Sequence, residues 1–133
     1  MQQTMIDDLI AKAASVVYPR MVDGRLAGDV GCALTTRAGN VYLGVCIDTK
    51  SGTGFCAEHS AIAAMVTGGE LEIASIVAVW KDKAGSMVVV PPCGRCREFI
   101  RQISDANLDT DVVLARDRVA RLRELLPFHE WPS

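Results

Sequence analysis

No run of basic residues occurs anywhere in this chain. Lys and Arg total 14 against 16 Asp and Glu, and the net charge is −2. Gripping nucleic-acid phosphates without sequence preference needs clustered cations, so a polynucleotide partner is not expected. No apolar stretch is long enough to span a bilayer, and a membrane role is not expected either. Internal repeats, low-complexity tracts and linkers are also missing. Residues Met1–Asp8 lack the basic and apolar regions of a signal peptide, which makes the cytoplasm the expected location. The five cysteines are odd in number, as suits a reducing compartment, so metal binding or catalysis is a better use for them than disulfides.

What is present is 133 residues, half of them apolar and 23% charged. That is the size and composition of one folded domain spanning 1–133. Residues Thr4–Val17 place Met5, Leu9, Ile10, Ala13, Val16 and Val17 at helical spacing, and Pro19 stops the helix. Val22–Gly28 reads as a loop. Val30–Thr35 and Val41–Ile47 read as a hairpin around Ala38-Gly39-Asn40. A second helix is expected from Cys56 to Gly68-Gly69, burying Ala61, Ile62, Met65 and Val66. Ile73–Trp80 is a strand covered on both faces, Met87–Val90 a short strand, Cys93–Ser104 a third helix, Val112–Ala115 a strand, and Arg121–Leu126 a short helix ended by Pro127. This order predicts an α/β fold: a three-layer α/β/α sandwich on a mixed five-stranded sheet, with an antiparallel hairpin first and parallel strands after it. Arg116, Arg118, Arg121 and Arg123 read as solvated helix and turn charges or intersubunit pairs.

Two short patterns carry chemistry: Cys56-Ala57-Glu58, and Pro92-Cys93-Gly94-Arg95-Cys96-Arg97. Each sits at a predicted helix start, where free backbone N–H groups and the helix dipole favour thiolates. Cys93 and Cys96 are three apart and share one face of a first turn. Cys56 can complete a set of three ligands at the sheet edge where α/β proteins place their sites. Zinc suits soft thiolates in tetrahedral geometry. Three protein ligands leave a fourth position open, the arrangement in which zinc makes hydroxide available near neutral pH. Glu58, two residues past Cys56, is placed to shuttle a proton during hydrolytic loss of ammonia from an amidine-like carbon. A rival reading uses Cys56, His59, Cys93 and Cys96 as a closed structural Cys3His site, which asks nothing of Glu58. Cys32 lies inside a strand and reads as a small core residue. Cys46 reads equally as core or as a wall facing substrate.

Taken together these motifs resemble the cytidine deaminase family, whose members share a general zinc-deaminase signature. Cys56-Ala57-Glu58-His59-Ser60-Ala61-Ile62 is similar to the family's Cys-Ala-Glu-Arg-Thr-Ala-Ile, and Pro92–Arg97 to its Pro-Cys-Gly-x-Cys-Arg. Val30–Leu34 resembles its Val-Gly-Ala-Ala-Leu strand, and Arg123–Pro127 its closing Leu-Leu-Pro. The resemblance implies a deaminase-type sandwich, one Zn2+ per subunit on Cys56, Cys93 and Cys96, and Glu58 as proton shuttle. It implies a free nucleoside as substrate, with the Ala57 backbone against the pyrimidine, and a homotetramer, with a dimer as the alternative. The family's ribose motif, Asn-x-Glu-Asn, is replaced by Cys46-Ile47-Asp48-Thr49, so Asp48 keeps a shorter carboxylate and reads equally as a sugar contact or a loop carboxylate. The family's Phe two residues before the Val of its first strand is Gly28 here. Blasticidin S deaminases, a related branch, share Pro-Cys-Gly-Arg-Cys-Arg and a Leu-Leu-Pro ending followed by aromatics, matched by Phe128 and Trp131. Those two aromatics read as packing or as a lid over a substrate ring in a neighbouring subunit. His59 stands where the tetrameric members keep an Arg that offsets the anionic cluster, a role that would then fall to Arg97.

Overall fold

The computed structural model describes residues 1–132. In chain order it contains α1 (Gln3–Ser15), β1 (Arg20–Val22), β2 (Arg25–Thr36), β3 (Val41–Ile47), α2 (Ala57–Thr67), β4 (Ile73–Lys81), β5 (Met87–Val90), α3 (Gly94–Ile103), a 3-10 turn (Asp105–Asp109), β6 (Asp111–Ala115), β7 (Arg118–Arg121) and α4 (Leu122–Leu125). The sheet has seven strands rather than five, in the order β1-β2-β4-β6-β7, with β3 on β2 and β5 on β4.

Both additional strands come from segments without apolar alternation. β1 is exposed throughout and pairs with the first residues of β2 across Asp23-Gly24, two residues at positive φ. The Val22–Gly28 loop is therefore a tight hairpin. β7, Arg118–Arg121, lies antiparallel on β6 at the sheet's far edge, which explains why its arginines look like surface charges. The expected parallel half is smaller than the element order suggested. Only β4 and β6 run parallel, because β5 returns antiparallel onto the second half of β4.

Side-chain alternation along the central strands divides the core in two. Cys32 and Leu34 of β2, Ile76 of β4 and Val112 of β6 face α2, α3 and α4. Ala33, Val77, Val79 and Val113 face α1, which contributes Ile6, Leu9, Ile10 and Ala13. Ile6 belongs to that stripe, whereas Met5 is exposed, so the buried face of α1 is rotated from the expected one. Val66 of α2 is likewise exposed.

Two strand glycines let helices approach the sheet closely. A Cβ on Gly44 would overlap the backbone of Ser60 and Ala61 in α2. One on Gly31 would overlap the Ala13 carbonyl of α1 on the opposite face. Buried Asn107 accepts from Ile73 N at 2.8 Å and donates to Leu71 O and Ile100 O. It thereby ties the end of α3 to the start of β4, and α2 and α3 are both anchored on one face of the sheet.

Candidate metal centre and active site

Cys56 and Cys93 are the residues immediately before α2 and α3, with extended backbones at φ −72° and −70°. Ser, Thr or Asp commonly fill such positions and cap the helix. Neither thiol makes a capping bond, so both are free to turn elsewhere. They turn toward each other. Cys56 Sγ lies 3.9 Å from Cys93 Sγ, and Cys93 Sγ lies 3.5 Å from Cys96 Sγ in the first turn of α3.

The local chain explains this convergence. Ile47 and Phe55 exchange backbone hydrogen bonds of 3.0 Å, closing the loop between them and returning the chain to the end of β3 just before Cys56. Arg97 Nε donates to Pro92 O at 2.9 Å, fixing the turn that presents Cys93. Arg97 is thus a brace for the loop.

The donor set fits zinc. Sulfurs at the corners of a tetrahedron about 2.3 Å from a central zinc stand about 3.8 Å apart. The separations of 3.9 and 3.5 Å bracket that spacing. Burial pushes the Cys93 thiol up, but hydrogen bonds from the Cys96 backbone, the Cys96 and Cys56 thiols and the Arg95 backbone together outweigh it and bring the thiol below its ordinary value. Burial first, and the Glu58 charge second, push Cys96 well up in the absence of a cation. A divalent cation is what would let these thiolates coexist.

Glu58 is only 6% exposed, and burial raises its pKa against the opposing pull of its own backbone N–H and the Cys96 thiol. It nevertheless lines a cavity of about 360 Å³ together with Cys56, Ala57 and Cys93. A buried carboxyl at a cavity wall, with its proton affinity raised, is suited to take up and release a proton.

His59 lies behind the sulfurs and does not line that cavity. Its ring is stacked on Phe99 at 4.2 Å, and its Nδ1 is 3.5 Å from Cys96 Sγ. Burial, and then the charge of Arg95, lower its pKa. The donor atoms of Cys56, His59 and Cys96 also lie within 4.8 Å of one another, so the rival ligand is in reach.

The same cavity gathers Cys46 and Asp48 with Asp29, Val30, Trp80, Val90 and Pro91. Five of these seven, Asp29, Val30, Trp80, Val90 and Pro91, are not among the site residues read from the sequence. Their signal is positional, since they sit at strand ends next to the metal motifs, where α/β sheets place ligands. Phe128 and Trp131 do not line it. Phe128 is 97% exposed at φ 55°, and Trp131 covers the Arg101 guanidinium at 5.0 Å.

Comparison with known proteins agrees with this geometry. The family described as "Cytidine and deoxycytidylate deaminase zinc-binding region" matches residues 7–110. A blasticidin-S deaminase of Bacillus cereus is 40% identical over 76 residues, 53% of this chain and 54% of that protein. A cytidine deaminase of Halalkalibacterium halodurans is 35% identical over 86 residues, 64% of this chain and 61% of that one. The chain thus spans between half and two thirds of the length of these curated relatives. The crystal structure of cytidine deaminase from Mycobacterium tuberculosis superposes with a TM-score of 0.73 at 28% identity, covering 92% of this chain and 94% of that one. That from Bacillus anthracis shares the fold, with a TM-score of 0.76 at 19% identity over 94% of this chain and 89% of that one. The profile match runs from α1 to the 3-10 turn and takes in both cysteine motifs, so the chain belongs to the cytidine and deoxycytidylate deaminase zinc-binding family.

Proposed function

We propose that this chain is a zinc-dependent hydrolase that deaminates the cytosine ring of a free nucleoside, cytidine or deoxycytidine, releasing ammonia. The observation that carries the reading is Glu58: a nearly buried carboxyl on the same cavity wall as Cys56 and Cys93. Cys56, Cys93 and Cys96 would hold the zinc, which when bound would supply an activated water near neutral pH. Glu58 accepts one proton of the attacking water and delivers it to N3 of the ring, then takes the second from the hydroxyl formed at C4 and passes it to the departing amino group. The balance is one water consumed, one ammonia released and a uracil ring left behind. The backbone at Ala57 supports the pyrimidine, while Asp48 faces the sugar. Because stable hydrated pyrimidines resemble the tetrahedral state, they bind more tightly than substrate.

Blasticidin S is the alternative substrate, favoured by the 40% identity to a blasticidin-S deaminase. The assembly we infer is a homotetramer in the cytoplasm. Supporting it are the apolar side chains of Met21, Leu43, Phe55 and Phe128, which the single chain leaves exposed. In that assembly Phe128 and Trp131 reach a neighbouring subunit. The closed Cys3His reading has one observation in its favour, the proximity of His59 to Cys56 and Cys96.

Replacing His59 by Ala separates the two. The open site predicts one zinc retained per chain and continued ammonia release from cytidine or blasticidin S. Loss of zinc and fold on that single replacement would support the structural site and overturn the deaminase reading.

A further inference from the structure

The wall of the cavity away from the cysteines bears its own chemistry. Asp29, at the start of the buried part of β2, and Asp48, just after β3, bring carboxylate oxygens within 4.8 Å of the Cys46 sulfur and of each other. Cys46 donates its thiol proton to Asp29 Oδ1 at 2.8 Å and accepts from Val30 N at 3.4 Å. Burial, with the bond to Asp29 second, raises the Cys46 thiol to about 11, so it remains a neutral donor. Cys46 therefore fixes the Asp29 side chain and leaves its second oxygen to the cavity. Among the described residues neither aspartate forms a salt bridge. The charged side chains that line the cavity, besides the thiols, are Asp29, Asp48 and Glu58, with no Lys, Arg or His among them.

We infer that Asp29, held by Cys46 and acting with Asp48, determines specificity by charge: this wall takes a nucleoside carrying a cationic substituent on its sugar and rejects a phosphorylated one. The inference rests on the deaminase reading of the cavity and adds the substrate class. Ionised carboxylates only accept hydrogen bonds, so they pair with ammonium, guanidinium or hydroxyl groups and offer nothing to a phosphate oxygen. Asp29 is half-buried and Asp48 exposed, so their charges disfavour an anion and favour a cation bound beside them, by an amount that salt reduces. Asp29 acts on binding, so its effect falls in KM rather than kcat.

The test is a charge series on zinc-loaded protein: cytidine, its 3′-amino and 5′-amino analogues, and its 3′- and 5′-monophosphates. An amine at one of the two positions is expected to raise kcat/KM at least fivefold over cytidine, and a phosphate there to lower it at least tenfold. Asp29→Asn is expected to compress that spread through KM, and Asp29→Glu to restore part of it. The wild-type amine advantage is also expected to shrink as salt is raised, a check that needs no variant. Calorimetric binding of the matching uridine series should give the same order without turnover. Ammonia released at rates indifferent to substituent charge, or a spread unchanged in Asp29→Asn, overturns the inference alone. Ammonia from none of the series overturns the deaminase reading beneath it.

Discussion

Glu98 and Arg101, one turn apart on α3, show how single side chains hold the frame behind the cysteines. Arg101 donates to both Glu98 oxygens, at 3.0 and 2.6 Å, and its side chain is 10% exposed. That bidentate contact holds Glu98 down at about 2, against an ordinary value of 4.5. A carboxylate with a depressed folded pKa contributes stability that is fully present above its unfolded value. The contribution is lost as pH falls through the folded one. Glu98→Gln is therefore expected to flatten the loss of stability between about pH 4.5 and 2, measured by urea unfolding across that range. An unchanged slope would show that the pair does nothing for folding. At this scale the sequence was readable where a motif singles out a residue: Cys-Ala-Glu drew attention to Glu58, which the fold buries at a cavity wall. Asp29 escaped notice because one aspartate before a strand has no pattern of its own. Only the fold brings it to Cys46, seventeen residues on.

Among the elements, α2 depends most on a close approach to the sheet. Its first residues, Ala57 and Glu58, keep their positions because Gly44 lets the backbone at Ser60 and Ala61 rest on β3. Gly44→Ala is expected to push the helix away and cost about 1–3 kcal/mol. That corresponds to a fall in Tm of roughly 3–12 °C, read by calorimetry. Zinc affinity should weaken with it, since Cys56 rides on the same helix. A Tm and zinc affinity equal to wild type would show that the sheet yields instead. Element positions followed from apolar patterning, periodic in half-buried segments and continuous in β4: α1, β3, α2, β4 and β5 lie within a few residues of their expected ends. β1 and β7 were invisible for the complementary reason. They are short edge strands, β1 exposed throughout and β7 with only Val119 and Ala120 half-buried, so hydrogen bonding to a neighbour defines them and no apolar alternation marks them.

As a whole, the molecule is a sheet with α1 on one side and the helices that carry the cysteines on the other. Cys56, Cys93, Glu58, Asp29 and Asp48 all line one cavity bounded by the starts of α2 and α3 and by strand ends. The three-layer architecture was readable because helix and strand patterns alternate along the chain. The strand directions were not, since the return of β5 onto β4 depends on the four-residue turn at Asp82–Gly85, whose N–H bonds from Ala84 and Ser86 converge on the Asp82 carboxylate. In the deaminase we propose, Glu58 moves protons for a hydrolysis at the cysteine cluster. Ammonia release from cytidine and blasticidin S by wild type and Glu58→Gln, at matched zinc content and equal Tm, tests it most directly. Turnover is expected in wild type, with a loss of at least about 100-fold in the variant. Equal rates in the two proteins, or no ammonia from zinc-loaded wild type, would contradict it.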